Sequence, residues 1–172
     1  MTKLKRAIDR ILPLGRTKLS FDVVPHVGIL PIKLATSRQE IGEMMRELGH
    51  HKSNTLGQID RYIDGSVGVE FDAEDRASFV ELHPHRDLVV TYRGEDVFDQ
   101  PAEEVFRLIA KSGAEDDRDF DPSEHLFRKQ IVTLWHADPQ YDLGGERFPV
   151  WGSIGVGDQG YLRFVDQLNA PP

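Results

Sequence analysis

The strongest constraint in this chain is a helix whose two ends are both marked, followed by strands, in an order that then recurs. Ser37 stands three residues before Glu40, the spacing of a capping box in which each residue bonds the other's backbone N–H. Ile41, Met44, Met45 and Leu48 then fall on one face of a 3.6-residue period, and Gly49 supplies the stop, so a helix is predicted over about 38–48. Strands follow at Gln58–Ile63 and Ser66–Phe71, around the turn pair Asp64-Gly65, and at Ala77–His83 and Leu88–Arg93. A second helix is predicted over about 100–111, with Asp99 as cap, Pro101 in the first turn, Val105, Leu108 and Ile109 as its stripe, and Gly113 as its stop. Further strands are expected at about 130–136, 147–155 and 160–165, with Gly144-Gly145 and Asp158–Gly160 as the turns between them.

The two helices superpose on a shift of 64 residues: Glu40 falls on Glu104, Ile41 on Val105, Met45 on Ile109 and Gly49 on Gly113. The same shift lays Val67–Phe71 on Ile131–Trp135. The fold class expected is therefore α+β: an antiparallel sheet covered by two main helices, with a tandem α-β-β-β repeat as one form of it. A single domain over 1–172 is expected, with pseudo-repeat halves at 36–99 and 100–168. A short helix over 2–12 (Leu4, Ile8, Ile11 and Leu12 on one face) and one or two edge strands within 21–34, broken by Pro25, Gly28 and Pro31, complete the expectation. Ser123 reads as the start of a helical turn over 123–128.

Composition closes off several chemistries. The chain has no Cys, which removes disulfides, thiol nucleophiles and Cys-ligated metals. No apolar run approaches the roughly 18 residues of a membrane span. The basic opening does not read as a signal peptide, so a cytoplasmic location and no membrane partner are expected. The net charge of −8 argues against nucleic acid as a partner. That charge is unevenly distributed. Residues 1–20 carry six basic groups against Asp9, whereas residues 93–124 carry eleven acids against Arg93, Arg107, Lys111 and Arg118. Opposite potentials across an interface chiefly accelerate encounter. The acidic stretch is accordingly the candidate partner-binding surface: Glu95, Asp96, Glu115, Asp116, Asp117, Asp119 and Asp121, facing a basic protein.

The run VGILPIKLATSRQEIGEMMRELG, from Val27 to Gly49, resembles a bacterial pattern of the form G-I-x-x-I-x-L-G-x-S-x-x-E-x-x-x-x-L-G, which opens a diffuse group of small α+β proteins. The later piece GSIGVGDQGYL resembles their C-terminal Gly-x-Gly-x-x-Gly-Tyr element. The helix opening is also similar to the assembly lipoprotein BamE and to β-lactamase inhibitor proteins. The resemblance implies a small α-β module that binds proteins, of immunity or inhibitor type, and it carries over no catalytic residue. The chain departs from the lipoprotein in having no Cys to lipidate, and from the pattern at Ala35, where glycine is usual.

Motifs that could carry chemistry are sparse. Gly155-Val-Gly157-Asp-Gln-Gly160 matches G-x-G-x-x-G, but only twelve residues follow it, too few to complete a βαβ unit, and a hairpin turn is the reading preferred. His83 and His85 point the same way along a strand and form the pair most like a metal site, with His50, His51, His136 and Asp138 as further donors without a linking spacing. Asp117, Asp119 and Asp121 occupy the first three ligand positions of an EF-hand, but Pro122 stands where Gly is required and Arg128 where the bidentate Glu belongs. Trp135 and Trp151 read as core aromatics. The sequence thus assigns no catalytic residue, no metal and no cofactor. It points to a non-catalytic protein-binding domain, with a metal-assisted hydrolase built on His83 and His85, or a small-ligand binder, as the alternatives.

Overall fold

The computed structural model describes residues 18–115, 119–139 and 148–170. The expected helix over 2–12, the turn at Gly144-Gly145, and Asp116 and Asp117 lie outside them. Fifteen elements are present in these residues. In order they are β1 (Leu19–Val24), β2 (Gly28–Leu30), β3 (Ile32–Lys33), α1 (Arg38–Glu47), β4 (Lys52–Leu56), β5 (Ile59–Tyr62), β6 (Val67–Phe71), β7 (Ala77–Leu82), β8 (Leu88–Tyr92), β9 (Glu95–Asp96), α2 (Ala102–Ser112), β10 (Glu124–Phe127), β11 (Val132–Pro139), β12 (Pro149–Gly157) and α3 (Gln159–Leu168). The fold is α+β, with two mainly antiparallel sheets where one was expected: β3-β2-β1-β8-β9, and β10-β11-β12-β7-β6-β5-β4.

Local chemistry explains the elements that were foreseen. Both capping-box bonds form at α1, and Gly49, with φ +85°, follows the helix in the left-handed conformation that glycine adopts freely. Ala35 has φ +61°, in the left-handed region that glycine enters most readily. Four expectations are corrected. Pro101 rather than Asp99 is the cap residue of α2, and no side chain caps that end. Residues 124–127 form strand β10, not a helical turn. Strand β1 is interior, held between β2 and a parallel β8, with Pro25 just beyond its end and Pro31 between β2 and β3. Residues 160–165 lie in α3, not in a strand.

The larger sheet has an internal two-fold. One buried row runs Tyr62, Val67, Leu82, Ile154, Leu134, His125, and the next runs Asp60, Val69, Val80, Val156, Val132, Phe127. A half-turn about an axis between β7 and β12 exchanges these rows, carrying Tyr62 to Phe127, Val67 to Val132 and Asp60 to His125. From β5 and β6 to β10 and β11 the offset is therefore 65 residues, one more than the sequence alignment gave, whereas from β7 to β12 it is 74, Val80 falling on Ile154. The helices obey the same half-turn. Helix α1 sits over Asp60 and Tyr62, with Gly42 facing the Tyr62 hydroxyl, while α2 sits over His125 and Phe127, its Phe106 ring centroid 4.5 Å from one and 5.5 Å from the other. Strand β2 packs on β7 and β12.

Each helix is tied to the sheet at its first turn, by different chemistry. Arg38 donates from Nε and Nη2 to the two oxygens of Asp60, at 3.0 and 2.7 Å. Asp60 is fully buried and also receives Thr55 Oγ1 at 2.8 Å and Lys52 Nζ at 2.9 Å. Trp151, equally buried, donates its indole N–H to the Ala102 carbonyl at the start of α2, at 2.8 Å. Trp151 reaches the core because His136, with φ +48°, kinks β11 opposite Gly152, whose missing Cβ would stand 3.0 Å from the His136 carbonyl.

Candidate functional site

With α1 and α2 on one face of the larger sheet, its other face carries the exposed chemistry. One row there reads Arg61, Gly68, Glu81, Gly155, Thr133, Leu126, with Glu70, Phe79 and Gly157 to one side and Ser153, Trp135 and Glu124 to the other. Alternation along the strands puts these residues opposite the core rows. Glycines shape the surface. A Cβ on Gly155 would stand 2.3 Å from the Phe79 ring, and one on Gly157 would stand 2.4 Å from the Tyr161 ring. The two rings lie flat on the sheet and stack on each other, with centroids 4.2 Å apart and planes 11° apart. That stack seats α3, whose start is capped by Asp158 Oδ1 accepting from the Tyr161 N–H at 2.8 Å.

The G-x-G-x-x-G element is thus a strand-to-helix junction and not a hairpin turn. It still does not make a phosphate cradle. Aromatic rings fill the space beside its first two glycines, and the Asp158 carboxylate occupies the helix start where an anion would sit.

A charged pair crosses this face. His83 Nδ1 lies 3.0 Å from the Gly152 carbonyl and its Nε2 lies 3.3 Å from Glu81 Oε2. Both partners accept, so the arrangement is fully satisfied when both ring nitrogens donate, which is the protonated form of His83. Glu81 also accepts from the Ser153 hydroxyl at 2.8 Å. Glu81 therefore stands between serine and histidine, and the imidazole cannot take the serine proton as a catalytic triad requires. The hydrogen bond to Glu81 raises the His83 titration above its ordinary 6.5. Burial works to raise Glu81, but the bonds from His83 and Ser153 outweigh it and hold its carboxyl below the ordinary value. The sign of each contribution follows. The His83 share is complete below about 6.5 and is lost as pH rises through its raised folded value; the Glu81 share is lost as pH falls through its lowered one. An imidazole NMR titration is expected to show His83 titrating above 6.5 in the wild type and lower in Glu81→Gln; an unmoved titration would remove Glu81 as the cause.

Burial and then the nearby Glu81 raise the Glu70 carboxyl. Burial, followed by Glu70, Glu81 and Glu124, pushes the Tyr161 hydroxyl up to about 12. Three strands thus bring carboxylates to one aromatic platform. Trp135, taken from the sequence as a core residue, is 52% exposed and pairs across the strands with Glu124. The sequence did carry a signal for this face, the polar members of each alternating strand, but not which strands would be neighbours.

The histidines of the metal alternative separate. His85 Nδ1 accepts the Asp87 N–H at 3.1 Å, which places its proton on Nε2, 3.6 Å from Asp64 Oδ2. Both nitrogens of His83 face acceptors, the Gly152 carbonyl and the Glu81 carboxylate. Neither imidazole offers a lone pair in this arrangement, although His85 lines a cleft of about 520 Å³ together with His50, His51, Asp64 and Asp87. Among the described residues no cluster of three or more His, Asp or Glu side chains could hold a metal ion.

The acidic residues selected from the sequence fall into two groups. Glu95 and Asp96 precede α2, while Glu115, Asp119 and Asp121 follow it, and a helix of 11 residues separates the groups by about 16 Å of rise. Glu115 receives the backbone N–H groups of Arg128 and Lys129 at 3.1 and 3.0 Å, so it holds its loop to the end of β10. Asp121 accepts from the N–H and hydroxyl of Ser123, which keep its carboxyl below the ordinary value. Asp119 is exposed, and Asp96 accepts the Phe98 N–H at 2.9 Å. No described helix is long and apolar enough to cross a membrane. No protein-family model, curated protein or solved structure matches the chain.

Proposed function

We propose that this chain is a non-catalytic protein-binding domain that engages a basic partner, and that immunity or inhibition is the form of binding its resemblance suggests. The observation that carries the reading is the groove of about 290 Å³ between β9 and α2. Glu95 and Glu104 stand at its rim with Gln100, and Val105 and Leu108 supply an apolar side. Such a groove suits a Lys or Arg side chain, whose aliphatic stem rests on the apolar residues while the cation meets the carboxylates. This charge raises the rate of encounter more than it tightens the complex.

The immobilised full chain is expected to capture a protein of high pI at low ionic strength. With that protein purified, the double variant Glu95→Gln, Glu104→Gln is expected to weaken binding by about tenfold, mainly in the association rate. A captured protein whose affinity is indifferent both to salt and to these substitutions would overturn the reading.

A further inference from the structure

We propose that the outer face of the seven-stranded sheet, between Trp135 and the Phe79–Tyr161 stack, is where the basic partner docks, with Trp135 as the anchor. This rests on the reading that the partner is a basic protein, and it says where the bound state is held. Three observations support it. First, the face is low at its centre: Gly68 lies beneath the Arg61 guanidinium and Gly155 beneath the flat Phe79 ring, with Thr133 beside it. Second, the floor has aromatic walls. Tyr161 lies over Gly157 at one end, and Trp135 stands beside Ser153 at the other. Four residues of strand separate Gly157 from Ser153, about 13 Å, which admits an extended segment or one face of a helix. Third, its charge is incomplete. Glu81 is matched by His83, whereas neither Glu70 nor Glu124 has a cationic partner among the described residues. Glu70 is half-buried beside Glu81, a placement that a cation from outside would relieve. An exposed Trp next to carboxylates is the arrangement in which a guanidinium gains both a ring face and a salt bridge. Tryptophan and arginine are the residue types that most often dominate binding energy when water is excluded around them.

The test uses the full chain, isotopically labelled, titrated with a nonaarginine peptide. The expected result is a set of NMR shifts at the Trp135 indole, Thr133 and Glu124, with the Trp151 indole unmoved. Trp135→Ala is expected to weaken binding about tenfold or more. Glu124→Gln, at an exposed position, is expected to weaken it about threefold and serves if the Trp135 variant does not fold. Binding with shifts confined to the groove of Glu95 and Glu104 or to residues 115–121, and unaffected by Trp135→Ala, overturns this docking face and leaves the basic-partner reading standing. No binding at low ionic strength overturns both. A concentration-dependent dimer that shields Trp135 without peptide overturns it in favour of a second copy of the chain.

Discussion

Replacing Asp60 by Ala is expected to destabilise the protein by about 3–5 kcal/mol, the cost of removing one partner from a buried ion pair. The size follows from what the carboxylate serves. It is fully buried and receives both arms of Arg38, the Lys52 ammonium and the Thr55 hydroxyl, and three of these donors would lose their main acceptor together. Burial works to raise the Asp60 carboxyl, but the hydrogen bonds outweigh it and it titrates at about 2, against an ordinary 3.8. Its contribution is therefore present above about 3.8, where the unfolded chain is also ionised, and is lost as pH falls through 2. That contribution at neutral pH is on the order of 2 kcal/mol. Urea denaturation at neutral pH checks the mutation. Repeated between pH 4 and 2, it should show the wild type losing stability while Asp60→Ala changes less; parallel losses in both proteins would remove Asp60 from the account.

Trp151→Ala is expected to cost about 3–5 kcal/mol for a different reason. Here a large ring leaves a cavity beneath α2, bordered by Phe120 and His125, whose rings it meets edge to face. The Ala102 carbonyl also loses the indole N–H. Trp151→Phe restores much of the volume but not the donor, so the difference between the two variants in chemical denaturation measures the cavity apart from the hydrogen bond. If the two are equally destabilised, the indole N–H and not the packing holds this end of α2. The pair Asp60 and Trp151 shows the two halves of the sheet solving one problem, fastening the first turn of a helix, once with charge and once with an aromatic ring.

The parts of the fold legible in the sequence are those whose signals are local. Helix α1 carries its capping box and its stripe within a dozen residues, and the β5–β6 hairpin carries Asp64-Gly65 at its turn. What was not legible is pairing between distant segments. Nothing near Phe21 indicates that it lies beside Val90, so the second sheet and the interior place of β1 were missed. Helix α3 was missed for a local reason. Tyr161, Phe164 and Val165 are residues that favour strands, and they overrode the Asp158 cap and the spacing of Tyr161, Phe164, Val165 and Leu168. The acidic residues were visible as a run of charge, but the run is cut in two by α2. Trp135 is half exposed and Trp151 buried on either side of His136, whose positive φ no neighbouring residue foretells.

The seam between β7 and β12 also bears on how this chain reaches its native state. Every other ladder in the larger sheet joins strands that are consecutive in the chain, whereas Val80 meets Val156 across 76 positions. Bringing such distant positions together costs on the order of 4 kcal/mol of chain entropy before any contact repays it. The meanders on either side close loops of fewer than a dozen residues and have their own helix to cover them, so they are expected to organise first. The two-fold that makes the finished sheet regular therefore also marks its slowest joint, where two locally assembled halves meet along one antiparallel pair.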